Sequence, residues 1–189
     1  MEYWTFGYGS LVNQSTWDDT KITKKATLNG WQREWRHNLE PDTYAHQTAL
    51  TISQHSNQQI DGILAKVNEY DLIYLKEREK NYEIHYLEHT QFIDLNIDGQ
   101  IFTHISKPEN HGWASNQHPI CQSYIDVVTH GYYKTFGLDG LRRFMETTIG
   151  WNLPILNDRE NPQYPRAQKI NQSFLDKVDI LIKEAAAAV

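Results

Sequence analysis

Residues 4–12 read Trp-Thr-Phe-Gly-Tyr-Gly-Ser-Leu-Val. An apolar, aromatic run with strand character passes directly into a Gly-x-Gly turn that ends on a small hydroxyl residue. Gly7 and Gly9 admit backbone angles closed to other residues and let a ligand come close to the main chain. Successive N–H groups in such a turn can converge on an anion. The competing reading is a plain tight turn at a strand end. What decides between the two is whether an acid or base elsewhere in the chain shares the site.

Working outward, the first half of the chain reads mostly as strand. Strands are predicted over residues 2–8, 26–38, 46–53 and 59–67, and over 83–95 with 100–105 as a hairpin turning at Asp98-Gly99. Strands of this number and length predict a small closed or nearly closed sheet. From residue 120 the pattern turns helical, over 120–136, 138–149 and 173–188. Residues 107–119 read as a loop. Residues 151–168 hold three of the six prolines and read as an ordered, irregular surface segment. The expected fold is α+β, a small mixed-strand, barrel-like sheet flanked by helices. It forms one domain over residues 1–189, with 151–189 as an extension of it.

Bulk composition narrows the function classes. The chain has 189 residues, 39% of them hydrophobic and 12% aromatic, enough for a proper core. A net charge of −6 argues against a nucleic-acid or anionic-membrane surface. Cys121 is the one cysteine, so no disulfide framework is possible within the chain, which fits a reducing cytoplasm. No basic-then-apolar leader opens the sequence, and no stretch approaches the ~20 apolar residues of a membrane span.

Residues 68–82 are helical in character inside the β-rich half, with Asn68 as N-cap and acidic residues in the first turn. At about 100° per residue, with Leu72 at zero, Leu75 falls at roughly 300°, Glu79 at roughly 340° and Tyr82 at roughly 280°. Glu77 falls near roughly 140°, on the water side. Glu79 therefore shares the stripe of Leu72 and Leu75. A carboxylate against apolar neighbours has its charged form penalised and is tuned for proton transfer near neutral pH. The competing reading is a surface ion pair with Arg78, Lys80 or Lys76.

Taken together, Phe6-Gly-Tyr-Gly-Ser-Leu11, Gly30-Trp-Gln-Arg33, Gly62-Ile-Leu64 and Leu75-x-x-Arg78-Glu79-x-x-Tyr82 resemble the γ-glutamylcyclotransferase superfamily, over roughly residues 3–135. The likeness is to the members with a Tyr-Gly-Ser-Leu motif (γ-glutamylcyclotransferase-like, AIG2-like). The proline-rich segment after Trp151 goes beyond the core of that superfamily. The resemblance implies an enzyme that releases 5-oxoproline from a γ-glutamyl compound, as in glutathione metabolism. The substrate's α-amine attacks its own γ-carbonyl, and the amine portion leaves. Such a reaction needs no enzyme nucleophile, no metal and no other cofactor. It needs one carboxylate to take the ammonium proton and return it to the leaving nitrogen, a folded substrate, and donors aimed at its oxygens. Carried over by motif, Glu79 matches the catalytic acid/base, Tyr8, Gly9, Ser10 and Leu11 the substrate-cradling loop, and Tyr82 a pocket tyrosine. The expected partner is a small γ-glutamyl molecule in the cytoplasm, with neither nucleic acid nor membrane. The alternative is a non-catalytic module that binds a metabolite or a partner in the same pocket.

Other constellations carry less. His85 and His89 are four apart, but in a strand that spacing is roughly 13 Å, too far to share an ion. Ser10 is not in a Gly-x-Ser-x-Gly elbow, which leaves a serine hydrolase as a minor alternative. Cys121 reads as packing. Trp4, Trp31, Trp35, Trp113 and Trp151 read as core. Arg159 and Arg166 suit bidentate recognition of a carboxylate, with Asp158 and Glu160 adjacent as structural partners. The identity of the amine portion is left to residues 38–46, 107–119 and 151–168, and oligomeric state is not legible.

Overall fold

The computed structural model describes residues 2–17, 21–39 and 47–188. Its centre is a mixed eight-stranded sheet in which strand β1 (Tyr3–Gly7) lies between two neighbours. On one side β1 pairs antiparallel with β3 (Gln47–Val67), placing Gly7 opposite Ile63. On the other it runs parallel to β5 (Gln100–Ser106). Beyond them, β2 (Thr23–Leu39) pairs antiparallel with β3, and β4 (Tyr82–Leu87) pairs antiparallel with β5. Isolated bridges Leu28↔Phe92 and His37↔His111 bring β2 back against the segments that follow β4 and β5, so the sheet curls in the barrel-like manner expected. The α+β class follows from three helices set against this sheet: α1 (Glu69–Arg78), α2 (Gln122–Glu146) and α3 (Gln172–Ala187).

Differences from the predicted elements have local causes. The strands expected over 46–53 and 59–67 are one strand, β3 (residue 46 lies outside the described residues). Between the pairs Asn29↔Gln59 and Trp31↔Gln54, Gly30 faces the polar run 55–58, a wide irregularity that reads in sequence as a loop. Strands β4 and β5 pair as expected, but not through a two-residue turn at Asp98-Gly99. The chain leaves the sheet after Leu87, where a reciprocal cap between Glu88 and Gln91 opens a short 3₁₀ turn, and Phe92 is then driven into the core. His85 and His89 consequently diverge, the first against Trp31 and the second bonded to the Gly99 carbonyl.

Helix α2 breaks where the two predicted helices meet, at Gly137, whose φ of 73° is open to glycine and costly for most other residues. Its expected first residues, Ile120–Cys121, instead form the short strand β6, which pairs with β3 and with β8 (Ile155–Leu156). Its expected last residues, Thr148–Ile149, form β7 beside β2. Trp4, Trp31, Trp35 and Trp151 are buried as expected, whereas Trp113 is 41% exposed with Arg36 over its ring. Cys121 is fully buried, and burial, with Asp158 adding, pushes its thiol up to about 12, as a packing residue should be. No helix among the described residues is long and apolar enough to cross a membrane.

Candidate active site

The turn that follows β1 is built for close packing. Neither Gly7 nor Gly9 has a positive φ, but Gly9, at φ −121° and ψ −128°, lies outside the usual helical and extended regions, as expected of a glycine in this turn. Both glycines also supply space. A Cβ on Gly7 would lie 2.7 Å from that of Leu11, and one on Gly62, across the sheet, 2.5 Å from the Gly7 carbonyl. Residues Ser10–Val12 coil into a 3₁₀ turn closed by the bonds Val12 N to Gly9 O (3.1 Å) and Asn13 N to Ser10 O (3.0 Å).

Arg33 clamps this turn from below. Its guanidinium is fully buried and donates to the Tyr8 carbonyl (2.9 Å), the Asp61 carbonyl (2.7 Å), the Tyr132 hydroxyl (2.7 Å) and Thr148 Oγ1 (3.1 Å). Burying a charge without such partners would cost several kcal/mol. Here the cost is offset by a ring of acceptors, one of them the carbonyl of the residue that forms the cradle. From the other side the Tyr8 hydroxyl donates to the His104 carbonyl at 2.6 Å.

Helix α1 delivers the carboxylate. Asn68 and Asp71 form a reciprocal capping box at its start, and its last residue is Arg78. Glu79 is thus the C-cap and not a residue of the apolar stripe, with φ −107° and ψ 25°. Tyr82 has left the helix altogether and opens β4, because its pairing with Ser106 begins there. Helical counting pointed Glu79 inward, and the ion pair with Arg78 given as the competing reading also forms, but it is buried and not at the surface. In place of Leu72 and Leu75, Glu79 meets Arg78 Nε at 3.1 Å and lines a niche with Tyr8, Tyr82, His104 and Tyr124. The Glu79 side chain is 14% exposed, against 81% for Glu77, which faces water as expected.

Arg78 joins helix to turn. It donates to the Thr16 carbonyl (2.8 Å), Thr16 Oγ1 (3.0 Å) and Ser10 Oγ (3.3 Å) while holding Glu79. Burial acts to lower its pKa, but Glu79, Tyr164 and Tyr74 together hold it above the usual value. Around Glu79 the phenols of Tyr8, Tyr82 and Tyr124 are all raised, burial being the largest cause. They are neutral donors at any physiological pH, and Tyr82 spends its proton on the Leu50 carbonyl (3.0 Å) while its ring stacks on His37. The imidazole of His104 is lowered by burial against the pull of Glu79, and its Nδ1 has no partner.

Two connected hollows result. The inner niche, about 30 Å³, is lined by residues 6–11 together with Leu50, Glu79, Tyr82, His104 and Tyr124. The outer chamber, about 330 Å³, shares Ser10, Glu79, Tyr82 and Tyr124 with it and is walled by Tyr164, Pro165 and Arg166. Tyr8, Gly9, Ser10, Leu11, Glu79 and Tyr82 therefore lie around one site. Sequence reasoning missed Tyr124, His104 and Tyr164. Tyr124 and Tyr164 pack on each other at 4.9 Å from elements distant in sequence, for which no local pattern exists. Of the two arginines in the proline-rich segment, Arg159 is structural, bridging Asp126 (2.7 Å) and Asp179 (2.8 Å). Arg166 faces the outer chamber.

The fold is shared with solved structures. One of them, described as a gamma-glutamyl cyclotransferase, aligns with a TM-score of 0.59 at 16% identity, over 97% of this chain and 99% of that one. The uncharacterized protein loc79017 from Homo sapiens aligns at 0.59 and 16% identity, over 94% and 98%. YkqA from Bacillus subtilis aligns at 0.54 and 14%, over 77% of this chain and 53% of that one. No curated protein sequence matches. The sequence profile of the ChaC-like protein family matches residues 3–134. The chain belongs to the ChaC-like family, and with it to the γ-glutamylcyclotransferase superfamily of enzymes.

Proposed function

We propose that the protein converts a γ-glutamyl compound into 5-oxoproline and a free amine, with Glu79 as the single general acid/base. The substrate enters with its α-amine protonated. The Glu79 carboxylate takes one proton, the freed amine attacks the γ-carbonyl, and the oxygen of the tetrahedral species carries the developing negative charge. Collapse of that species breaks the amide C–N bond: Glu79 returns its proton to the leaving nitrogen and takes the second proton from the ring nitrogen, which passes to the departing amine as its ammonium form, so that neutral lactam is released and Glu79 ends as the carboxylate. Tyr8, Gly9, Ser10 and Leu11 hold the glutamyl chain in its folded, near-attack shape, and Tyr82 walls the niche beside it.

The observation that carries this reading is the meeting of Glu79 with the glycine turn on one small niche, fixed through Arg78, which bonds both Glu79 and Ser10. The test is mass-spectrometric detection of 5-oxoproline from a panel of γ-glutamyl compounds, with Glu79→Gln as the control. The wild type should release it, and the amide, unable to cycle a proton, should lose about 10²-fold or more in kcat. Turnover by Glu79→Gln near the wild-type rate would defeat the mechanism. Ligand uptake by calorimetry without 5-oxoproline would mark a binding module instead.

A further inference from the structure

Among the described residues that line it, the outer chamber holds one unbalanced charge. Its charged lining residues are Glu77, Arg78, Glu79, Lys80 and Arg166. Arg78 is committed to Glu79 at 3.1 Å and Lys80 to Glu77 at 3.5 Å. Arg166 is half-buried and, among the described residues, has neither an ion pair nor a hydrogen bond. A guanidinium withdrawn from water without a counter-ion is costly to keep, and its planar fork matches a carboxylate.

The segment that presents Arg166 is held firmly. The Asp158 carboxylate accepts from Ser123 N (2.7 Å), Ser123 Oγ (2.5 Å) and Gln163 N (2.8 Å). Tyr164 N donates to Ser123 Oγ, Ala167 N closes a turn onto the Tyr164 carbonyl, and Gln168 accepts from Asn13 of the glycine-turn region. The segment itself lies outside residues 3–134, the part that the family profile matches, although its anchors Ser123 and Asn13 lie within it. Arg166 lines the outer chamber but not the inner niche where Glu79 meets the glycine turn.

We propose that Arg166 is a specificity-determining residue that reads a carboxylate carried by the leaving amine, so that the preferred substrates are γ-glutamyl amino acids or peptides with a free acid end and not γ-glutamylamines. The assignment rests on the cyclotransferase reading. With the glutamyl end at Glu79 and residues 8–11, only the part beyond the scissile bond reaches the outer chamber. Its terminal carboxylate there supplies the missing counter-charge.

The test uses matched pairs, a γ-glutamyl amino acid and a γ-glutamyl dipeptide, each as the free acid and as the C-terminal amide. Release of 5-oxoproline is followed for wild type, Arg166→Gln and Arg166→Lys. Wild type should favour at least one acid over its amide by about 10- to 100-fold in kcat/KM, mostly through KM. Arg166→Gln should lose that preference while keeping amide turnover within about twofold, and Arg166→Lys should recover part of it. Equal use of acid and amide by the wild type, or an equal loss on both in Arg166→Gln, would overturn the assignment while leaving the reaction standing. No 5-oxoproline from any substrate would overturn the cyclotransferase reading and this assignment with it.

Discussion

Glu77 projects into solvent and holds Lys80 at 3.5 Å, while two positions on Glu79 turns into the niche against Arg78. Exposed ion pairs of the first kind contribute a fraction of a kcal/mol at most. Glu77→Gln should therefore keep kcat/KM for 5-oxoproline release within about twofold of wild type. A loss as deep as that expected for Glu79→Gln would mean that the wrong carboxylate has been assigned. The inward position of Glu79 was legible because four residues carry a helix round by about 400°, which returns the position just past the last helical residue to the side of Leu75, although Glu79 is itself the C-cap. Of its neighbours, Arg78 was legible as an ion-pair partner. Its reach to Thr16 and Ser10 was not, and Tyr124 and His104 arrive from other elements, so no window around Glu79 contains them. Gly7 and Gly9 supply room for Leu11 and Tyr124 and not a left-handed backbone.

At the level of elements, α2 begins without a capping side chain of its own, since Cys121 occupies the N-cap position. The Asp158 carboxylate fills that role from 35 residues away by accepting from Ser123 N, and it also ties Gln163 into the proline-rich segment. Asp158→Ala strands three donors, two of them buried and one partly buried. It should lower stability by about 2–4 kcal/mol, since a hydrogen bond to a charged group contributes about 1.5–3 kcal/mol and unpaired partners add to the loss. Hydrogen exchange should rise at residues 160–168 before it rises in the sheet, and unchanged protection there would refute the anchoring. This contact helps explain why the segment reads as merely irregular in sequence: its order comes from distant partners, the α2 N-terminus, Asp179 and Asn13 among them, and not from any periodicity. The same limit governs the short strands β6, β7 and β8, two residues each, whose pairing is fixed by the sheet they join. Long elements with their own alternation or caps, β1, β2, α1 and α3, were visible because local pattern and tertiary packing agree there.

Across the whole molecule, buried histidines couple the fold to pH. His37 is fully buried on β2, bonds Ser106 Oγ through Nδ1 at 2.8 Å, and stacks on Tyr82 with ring centroids 3.7 Å apart. Burial, reinforced by His111 and Lys107, lowers its pKa to about 3 from the ordinary 6.5. His104 and His130 are lowered as well, each chiefly by burial. Below pH 6.5 the unfolded chain takes up protons that the folded chain refuses, so stability rises with pH in this range. The contribution of His37 is complete above about pH 6.5 and drains away as pH falls toward about 3. Each such group steepens the loss by at most about 1.4 kcal/mol per pH unit. Chemical denaturation at pH 7.5, 6.5, 5.5 and 5.0 should show wild type losing stability steadily below 6.5. His37→Gln starts lower, because it forfeits the stack on Tyr82, but its decline from pH 6.5 to 5.0 should be shallower by about 1 kcal/mol per pH unit. Parallel curves for the two proteins would show that His37 is protonated without penalty in the folded state. Because the His37 ring lies on Tyr82, which walls the niche beside Glu79, acid conditions that force a proton onto it should disturb the site at the same pH at which they loosen the sheet.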